Sequence, residues 1–171
     1  VREARTHVTR PTGQSVPELR AKAEEFIITG YQRELTFRRE DGSFSAFGDQ
    51  DESGSLWLTA FVLKVFSDAR AITTVDENVL AVAADWIRGH QLGDGAWESV
   101  GFIYDTPILG GNSGKYALTA FVALALHTYD PAYPGLEDAT NYLATHVSEQ
   151  QDNTYALAVA ALALARADHP A

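Results

Sequence analysis

Cysteine is absent from the 171 residues. Disulfides, thiolate nucleophiles and cysteine-ligated zinc are therefore outside the chemistry this chain can hold by itself. Basic charge is scarce: 13 Lys and Arg against 23 Asp and Glu leave a formal net charge of −10, with a pI near 4.8. Such a surface repels phosphate backbones and anionic headgroups, so neither nucleic acid nor membrane is expected as a partner. No apolar run approaches the roughly 18 residues of a membrane span. Val1 to Gln14 has no apolar core of a signal peptide, and no N-x-[ST] sequon occurs anywhere. The first residue is Val rather than Met, and the expectation is a piece of something longer. What is present is globular: 46% hydrophobic and 21% charged residues, enough for one domain with a real core.

The chain repeats itself. "LTAFVLKVF" (Leu58 to Phe66) returns sixty residues later as "LTAFVALAL" (Leu118 to Leu126), and more weakly as "LAVAALALA" (Leu157 to Ala165). Each is apolar nearly all round, which predicts a helix buried on every side. An amphipathic segment precedes each one. The first opens on Ser15 and Glu18 at capping-box spacing with Pro17 in its first turn, then places Leu19, Ala23, Phe26, Ile27 and Tyr31 on one face. The second offers Thr74 and Glu77 as its box and Val79, Val82, Ala83 and Trp86 as its face. The third follows the break at Pro131, Pro134 and Gly135. The joints repeat as well: "EDGSF", "GDGAW" and a degenerate "QDNTY". In the first two, Asp-Gly makes a tight turn and the aromatic two residues on plugs the helix pair.

Three outer–inner hairpins predict an all-α fold, an α/α toroid amounting to about half of an α6/α6 barrel. Residues 1–14 read as a polar lead-in and residues 15–171 as the hairpin domain. Half a toroid leaves apolar inner helices facing an empty side, so self-association or completion by a partner segment is expected.

The acid-rich stretch Asp49 to Glu52 admits three readings. As a calcium loop, Asp49, Asp51, Ser53 and Gly54 fall on positions one, three, five and six, but position twelve is Ala60. As a catalytic acid cluster, "DQDE" resembles the run with which class II terpene cyclases protonate an alkene, and "QLGDGAW" resembles an element repeated in those enzymes. The glycines and serines around the run imply solvation rather than the burial that keeps such an acid neutral. As a cap, Asp51, Glu52, Ser53 and Ser55 satisfy the free N–H groups of a helix starting near Leu56, the reading adopted here. The five histidines fall near helix ends or in the tails without zinc-ligand spacing, so neither metal nor cofactor is expected. Trp57, Trp86 and Trp97 read as core or joint aromatics.

Four stretches carry a family resemblance: "GYQRELTFRREDGSFSAFG", "GSLWLTAFVLKVFSDAR", "DWIRGHQLGDGAW" and the Gly-Gly before "ALTAFVALAL". In this order they resemble the thioester-containing domain of the alpha-2-macroglobulin and complement component three family, over about Ser15 to Ala167. The resemblance implies a secreted or cell-surface innate-immune protein acting by protease trapping or opsonisation, and not an enzyme. Its partners would be proteins, its parent's remaining domains among them. Family members form an internal thioester from the cysteine and glutamine of a Gly-Cys-Gly-Glu-Gln run; this chain has no cysteine. Complement-type members also place a thioester-attacking histidine five residues before the Gly-Gly. Here that position is Asp105, in "GFIYDTPILGG". A carboxylate is a poor substitute for imidazole as a nucleophile, so the resemblance implies a parent that reacts directly and favours amines. The plain alternative is that Asp105 forms a turn before Pro107. Two other readings stay open: a noncovalent binding scaffold from a thioester-less member, and a fragment of a cyclase- or prenyltransferase-like toroid.

Overall fold

The computed structural model describes residues 15–101, 114–150 and 152–168. The lead-in, Asp105, His7 and His169 lie outside the described residues. Six α-helices are described: α1 Val16–Glu34, α2 Leu56–Ala69, α3 Glu77–Gly89, α4 Gly114–Tyr129, α5 Leu136–His146 and α6 Thr154–Arg166. They form the three outer–inner hairpins that the repeats predict. The inner helices α2, α4 and α6 lie side by side with α4 central, α3 lies across α2 and α4, and α5 lies across α4 and α6. That two-layered arc is a toroid fragment.

Helix α4 is the core. From Tyr116 to Leu126 every residue except Phe121 is buried, and each Leu or Val enclosed this way stabilises the fold by about 1.5–3 kcal/mol. The expectation of all-round burial holds here and fails for its two sisters. On α2, Phe61 and Val65 are 42% and 44% exposed; on α6, Tyr155 and Leu162 are 47% and 49% exposed. Both helices have α4 on one side and, among the described residues, no neighbouring inner helix on the other.

Helix α1 departs furthest from its pattern. Of its expected apolar face only Tyr31 is buried, and Phe26 stays 64% exposed. The Tyr31 ring meets Phe66 edge-on at 4.6 Å, and its hydroxyl accepts the Asp76 N–H at 3.0 Å. Amphipathic spacing specified a helix with an apolar stripe; it did not supply a surface to bury the stripe.

The helix starts follow capping chemistry, with two corrections. The Ser15 N–H donates to Glu18 at 2.8 Å, as the capping box requires. Thr74 and Glu77 form no box: Asp76 is the cap of α3, accepting the Asn78 N–H at 2.9 Å, and Glu77 pairs instead with Arg70. At α2 only Ser55 caps, accepting the Leu58 N–H at 3.3 Å. Asp51 turns away and accepts the Phe47 N–H at 2.9 Å. A shorter side chain at the right register displaces acids a few residues upstream. Gly135 starts α5 at φ +91, where the Pro131–Gly135 break is expected, and Asn153 caps α6 through the Ala156 N–H at 2.9 Å.

Candidate functional site

The features that distinguish this chain converge on the joints, where an outer helix turns into an inner one. The first joint begins with Arg39, whose N–H donates to the Ser43 carbonyl at 2.8 Å while Gly42 N–H returns to the Arg39 carbonyl at 3.0 Å. The second repeats this with Leu92, Ala96 and Gly95, at 2.8 and 3.0 Å. Both glycines sit at φ +87, a left-handed conformation that a side chain makes costly. Asp41 accepts the Ser43 N–H at 3.0 Å and Asp94 the Ala96 N–H at 3.1 Å, so each aspartate closes its own turn.

The aromatic then plugs the hairpin: Phe44 and Trp97 are fully buried. What holds them is a residue that reads in the sequence only as an interruption of the apolar run. Phe44 N–H donates to Thr59 Oγ1 at 2.9 Å, and Trp97 N–H to Thr119 Oγ1 at 3.0 Å. Each threonine donates in turn to the carbonyl four residues back, Ser55 or Lys115, at 2.7 Å. Two buried N–H groups that no helix satisfies thus find partners. The pairing of a Thr in "LTAF" with an aromatic after Asp-Gly was a signal in the sequence, because both members repeat. The third joint does not repeat the plug: Ala158 stands in the Thr register, and Tyr155 of "QDNTY" lies inside α6 at the register of Tyr116 and stays exposed.

Each turn also docks forward onto the next outer helix. Asp41 accepts the Trp86 indole N–H at 3.0 Å, and Asp94 pairs with Lys115, whose ammonium lies 5.5 Å from the Tyr142 ring centre. Burial alone would push the Asp41 carboxyl up; the hydrogen bonds from Ser43 and Trp86, with Arg39 nearby, hold it below the ordinary carboxylate range. Lys115 and the Ala96 N–H hold Asp94 down likewise. Gln91 donates to the Gly95 and Gly135 carbonyls, both at 2.9 Å. Arg39 ties the acidic loop in place, donating to the Gly48 and Asp51 carbonyls at 2.7 and 2.6 Å.

The chemistry available here is structural. Asp49 and Glu52 point to solvent and Asp51 is half-exposed, so the acidic run is no buried proton donor, and the Gln91 amide serves a turn. The calcium and cyclase readings both lose their footing. His90 and His146 each pack on the aromatic four residues earlier, His90 tilted against Trp86 at 4.1 Å and His146 stacked on Tyr142 at 4.3 Å, and each shares a hydrogen bond with that residue's carbonyl. Among the described residues no three His, Cys, Asp or Glu gather as a metal group, and no helix is long and apolar enough to cross a membrane. Trp97 is a joint aromatic, with its indole on the Ile87 carbonyl at 2.8 Å. Trp57 stacks between Phe61 and Phe121, at 5.3 and 5.7 Å, joining α2 to α4. Leu56 N–H donates to the Val100 carbonyl at 3.0 Å, tying the segment after Trp97 to the start of α2.

These repeated joints have a known setting. The family model of the A-macroglobulin TED domain matches residues 7–171. The chain belongs to this family. Ovostatin from Gallus gallus is 35% identical to it over 115 residues, which cover 67% of this chain and 8% of that relative. The match therefore spans less than a tenth of the relative's length. As a TED domain it supplies three hairpins of the toroid and the joints that lock them, and it contains no cysteine with which to form a thioester of its own.

Proposed function

We propose that the chain is the scaffold portion of a thioester domain in a secreted macroglobulin- or complement-like innate-immune protein, serving protease trapping or opsonisation without catalytic chemistry of its own. The observation that carries this is the family match over residues 7–171, read together with joint hydroxyls committed to holding Phe44 and Trp97. Its partners are proteins: the remaining domains of its parent, and other copies of itself through the open edges of its inner helices. Asp105 stands where histidine-bearing members place their nucleophile, so transfer in the parent goes directly to amines. An amine nitrogen attacks the glutaminyl acyl carbon, an amide forms, the C–S bond breaks and the thiolate takes the proton.

The test is protease-triggered incorporation of a fluorescent primary amine into the parent protein. Expected is a covalently labelled parent and an unlabelled isolated chain, and Asp105→His in the parent shifts labelling toward hydroxyl acceptors such as glycerol. A folded parent that traps protease yet never takes up amine supports the second reading, a noncovalent scaffold from a thioester-less member. The absence of cysteine from this chain is what keeps that reading in play.

A further inference from the structure

The first two joints share a backbone but are finished differently, and the repeat isolates the difference position by position. A shift of 53 residues carries Asp41, Gly42 and Ser43 onto Asp94, Gly95 and Ala96. Gly42 meets Val82 as Gly95 meets Asp138. A shift of 56 therefore carries the docking face Val82, Trp86 and His90 of α3 onto Asp138, Tyr142 and His146 of α5. In the first joint this face closes on the turn. Val82 packs onto Gly42. The Trp86 indole donates to Asp41 at 3.0 Å, and its ring extends to Gly54, where a Cβ would stand 3.1 Å from it. Asp41 also accepts the Ser43 hydroxyl.

The second joint lacks each of these closures. Ala96 has no hydroxyl, and Asp94 takes its donors from the Ala96 N–H and Lys115 rather than from Tyr142. Gly114, at the place of Gly54 sixty residues on, has nothing within 4 Å of its Cβ position. Where Val82 seals the turn, Asp138 places a carboxylate that has no hydrogen bond or ion pair among the described residues. The result is a cleft of about 230 Å³ between the turn 93–95 and Asp138, Tyr142, Thr145 and His146. That is below the roughly 300–1,000 Å³ of small-molecule pockets and suits a single side chain. Tyr142 and His146, stacked at 4.3 Å, give it an aromatic wall. The charge is one-sided. Lys115 is already shared between Asp94 at 2.8 Å and Glu98 at 3.8 Å, and Glu98 and Glu149 add to the negative field at Tyr142.

We propose that this cleft takes an arginine side chain of a protein partner, its guanidinium bridging Asp94 and Asp138. A planar fork of five N–H donors serves two carboxylates at once and lies flat along an aromatic wall. It is also the nearest chemical match to the flat N–H donor that Trp86 offers Asp41 in the first joint. An anionic ligand is excluded by the charge, and an ammonium already reaches Asp94 from Lys115, which is no part of the lining. The site adds a recognition contact to the protein partners proposed above. It rests on the internal repeat and not on the thioester reading, so arginine binding and amine transfer fail separately.

Titration of the full chain with Nα-acetyl-arginine amide, followed by two-dimensional proton–nitrogen NMR, tests it. Expected are saturable shifts confined to residues 94–96 and 141–146, with a Kd of about 1–10 mM because both carboxylates face solvent. Nα-acetyl-lysine amide should bind about fivefold more weakly, lacking the fork. Asp138→Val restores the residue of the first joint at an exposed position and weakens binding about tenfold. Tyr142→Trp restores the indole and abolishes binding by filling the cleft, with far-UV circular dichroism unchanged in both variants. Shifts that never saturate, or that spread equally over residues 49–52, overturn the proposal. Equal binding of the lysine amide overturns it too, as does binding that survives either folded variant.

Discussion

Tyr116 and Tyr155 head the same three-residue phrase in two helices of nearly the same composition, yet one is 2% exposed and the other 47%. The difference lies in their neighbours. Helix α4 has an inner helix on each side and an outer helix over each seam, whereas among the described residues α6 has an inner helix, α4, on one side. An all-apolar run therefore specifies the kind of helix and the kind of surface it requires, and the tertiary context decides how much of that requirement is met. The same lesson separates α1 from α3, which share a face in register and differ in what covers it.

The largest effect should come from cutting the two helices alike. Leu126→Ala removes a fully buried side chain where α4 is packed on all sides, and should destabilise by about 3–4 kcal/mol in urea unfolding. Leu162→Ala on α6, measured at dilution where the chain is monomeric, should stay within about 1 kcal/mol. Equal losses would mean that α6 is as enclosed as α4 and that the edge is no edge. The joints come next. Gly95→Ala forces a side chain into a left-handed position and drives its Cβ into the Asp138 carbonyl oxygen, for about 3 kcal/mol. Gly89→Ala, in open space at the end of α3, should cost nothing measurable and serves as the control. Thr119→Val keeps the shape but orphans the buried Trp97 N–H, for about 1–2 kcal/mol. Ala158→Val at the third joint has no such bond to break, and a matching loss there would show that bulk, not hydrogen bonding, is what the inner helix senses.

Much of this was legible beforehand because a repeat states its own rules several times. The hairpin order, the Asp-Gly turns and the plugging aromatics Phe44 and Trp97 follow from residues that recur in phase. The places that misled are those where a local signal competed with another. Asp76 outbid Thr74 as a cap because an aspartate directly before the first helical residue needs no reach. Asp51 lost the α2 cap to Ser55 and found the Phe47 N–H instead. Thr59 and Thr119 sit inside apolar runs whose pattern assigns them no role, although buried threonines need partners and the joints supply them. The exposure of α1 was not written in α1 at all; it depends on what packs beside it, and among the described residues no inner helix covers its apolar face.

The finest contrast sets two carboxylates against each other. Asp41 in the first joint is held below the ordinary carboxylate range, its hydrogen bonds from Ser43 and Trp86 outweighing desolvation, so the folded state releases its proton more readily than the unfolded chain. Its stabilisation is present above the unfolded value and is lost as pH falls through the lowered folded one. Glu34 on the open edge runs the other way. Desolvation raises it, so the folded state holds the proton more tightly and gains stability as pH falls through the raised value, the penalty being complete only above that value. Both groups are partly exposed, so solvent screening keeps each contribution under about 1 kcal/mol. At neutral pH Asp41→Asn should destabilise the monomer and Glu34→Gln should stabilise it, and both differences should vanish when unfolding is measured below both groups' folded values. If Glu34→Gln also destabilises at neutral pH, the carboxylate is already satisfied within the monomer. The distinction between the closed joints and the exposed α1 face would then fail at its most specific point.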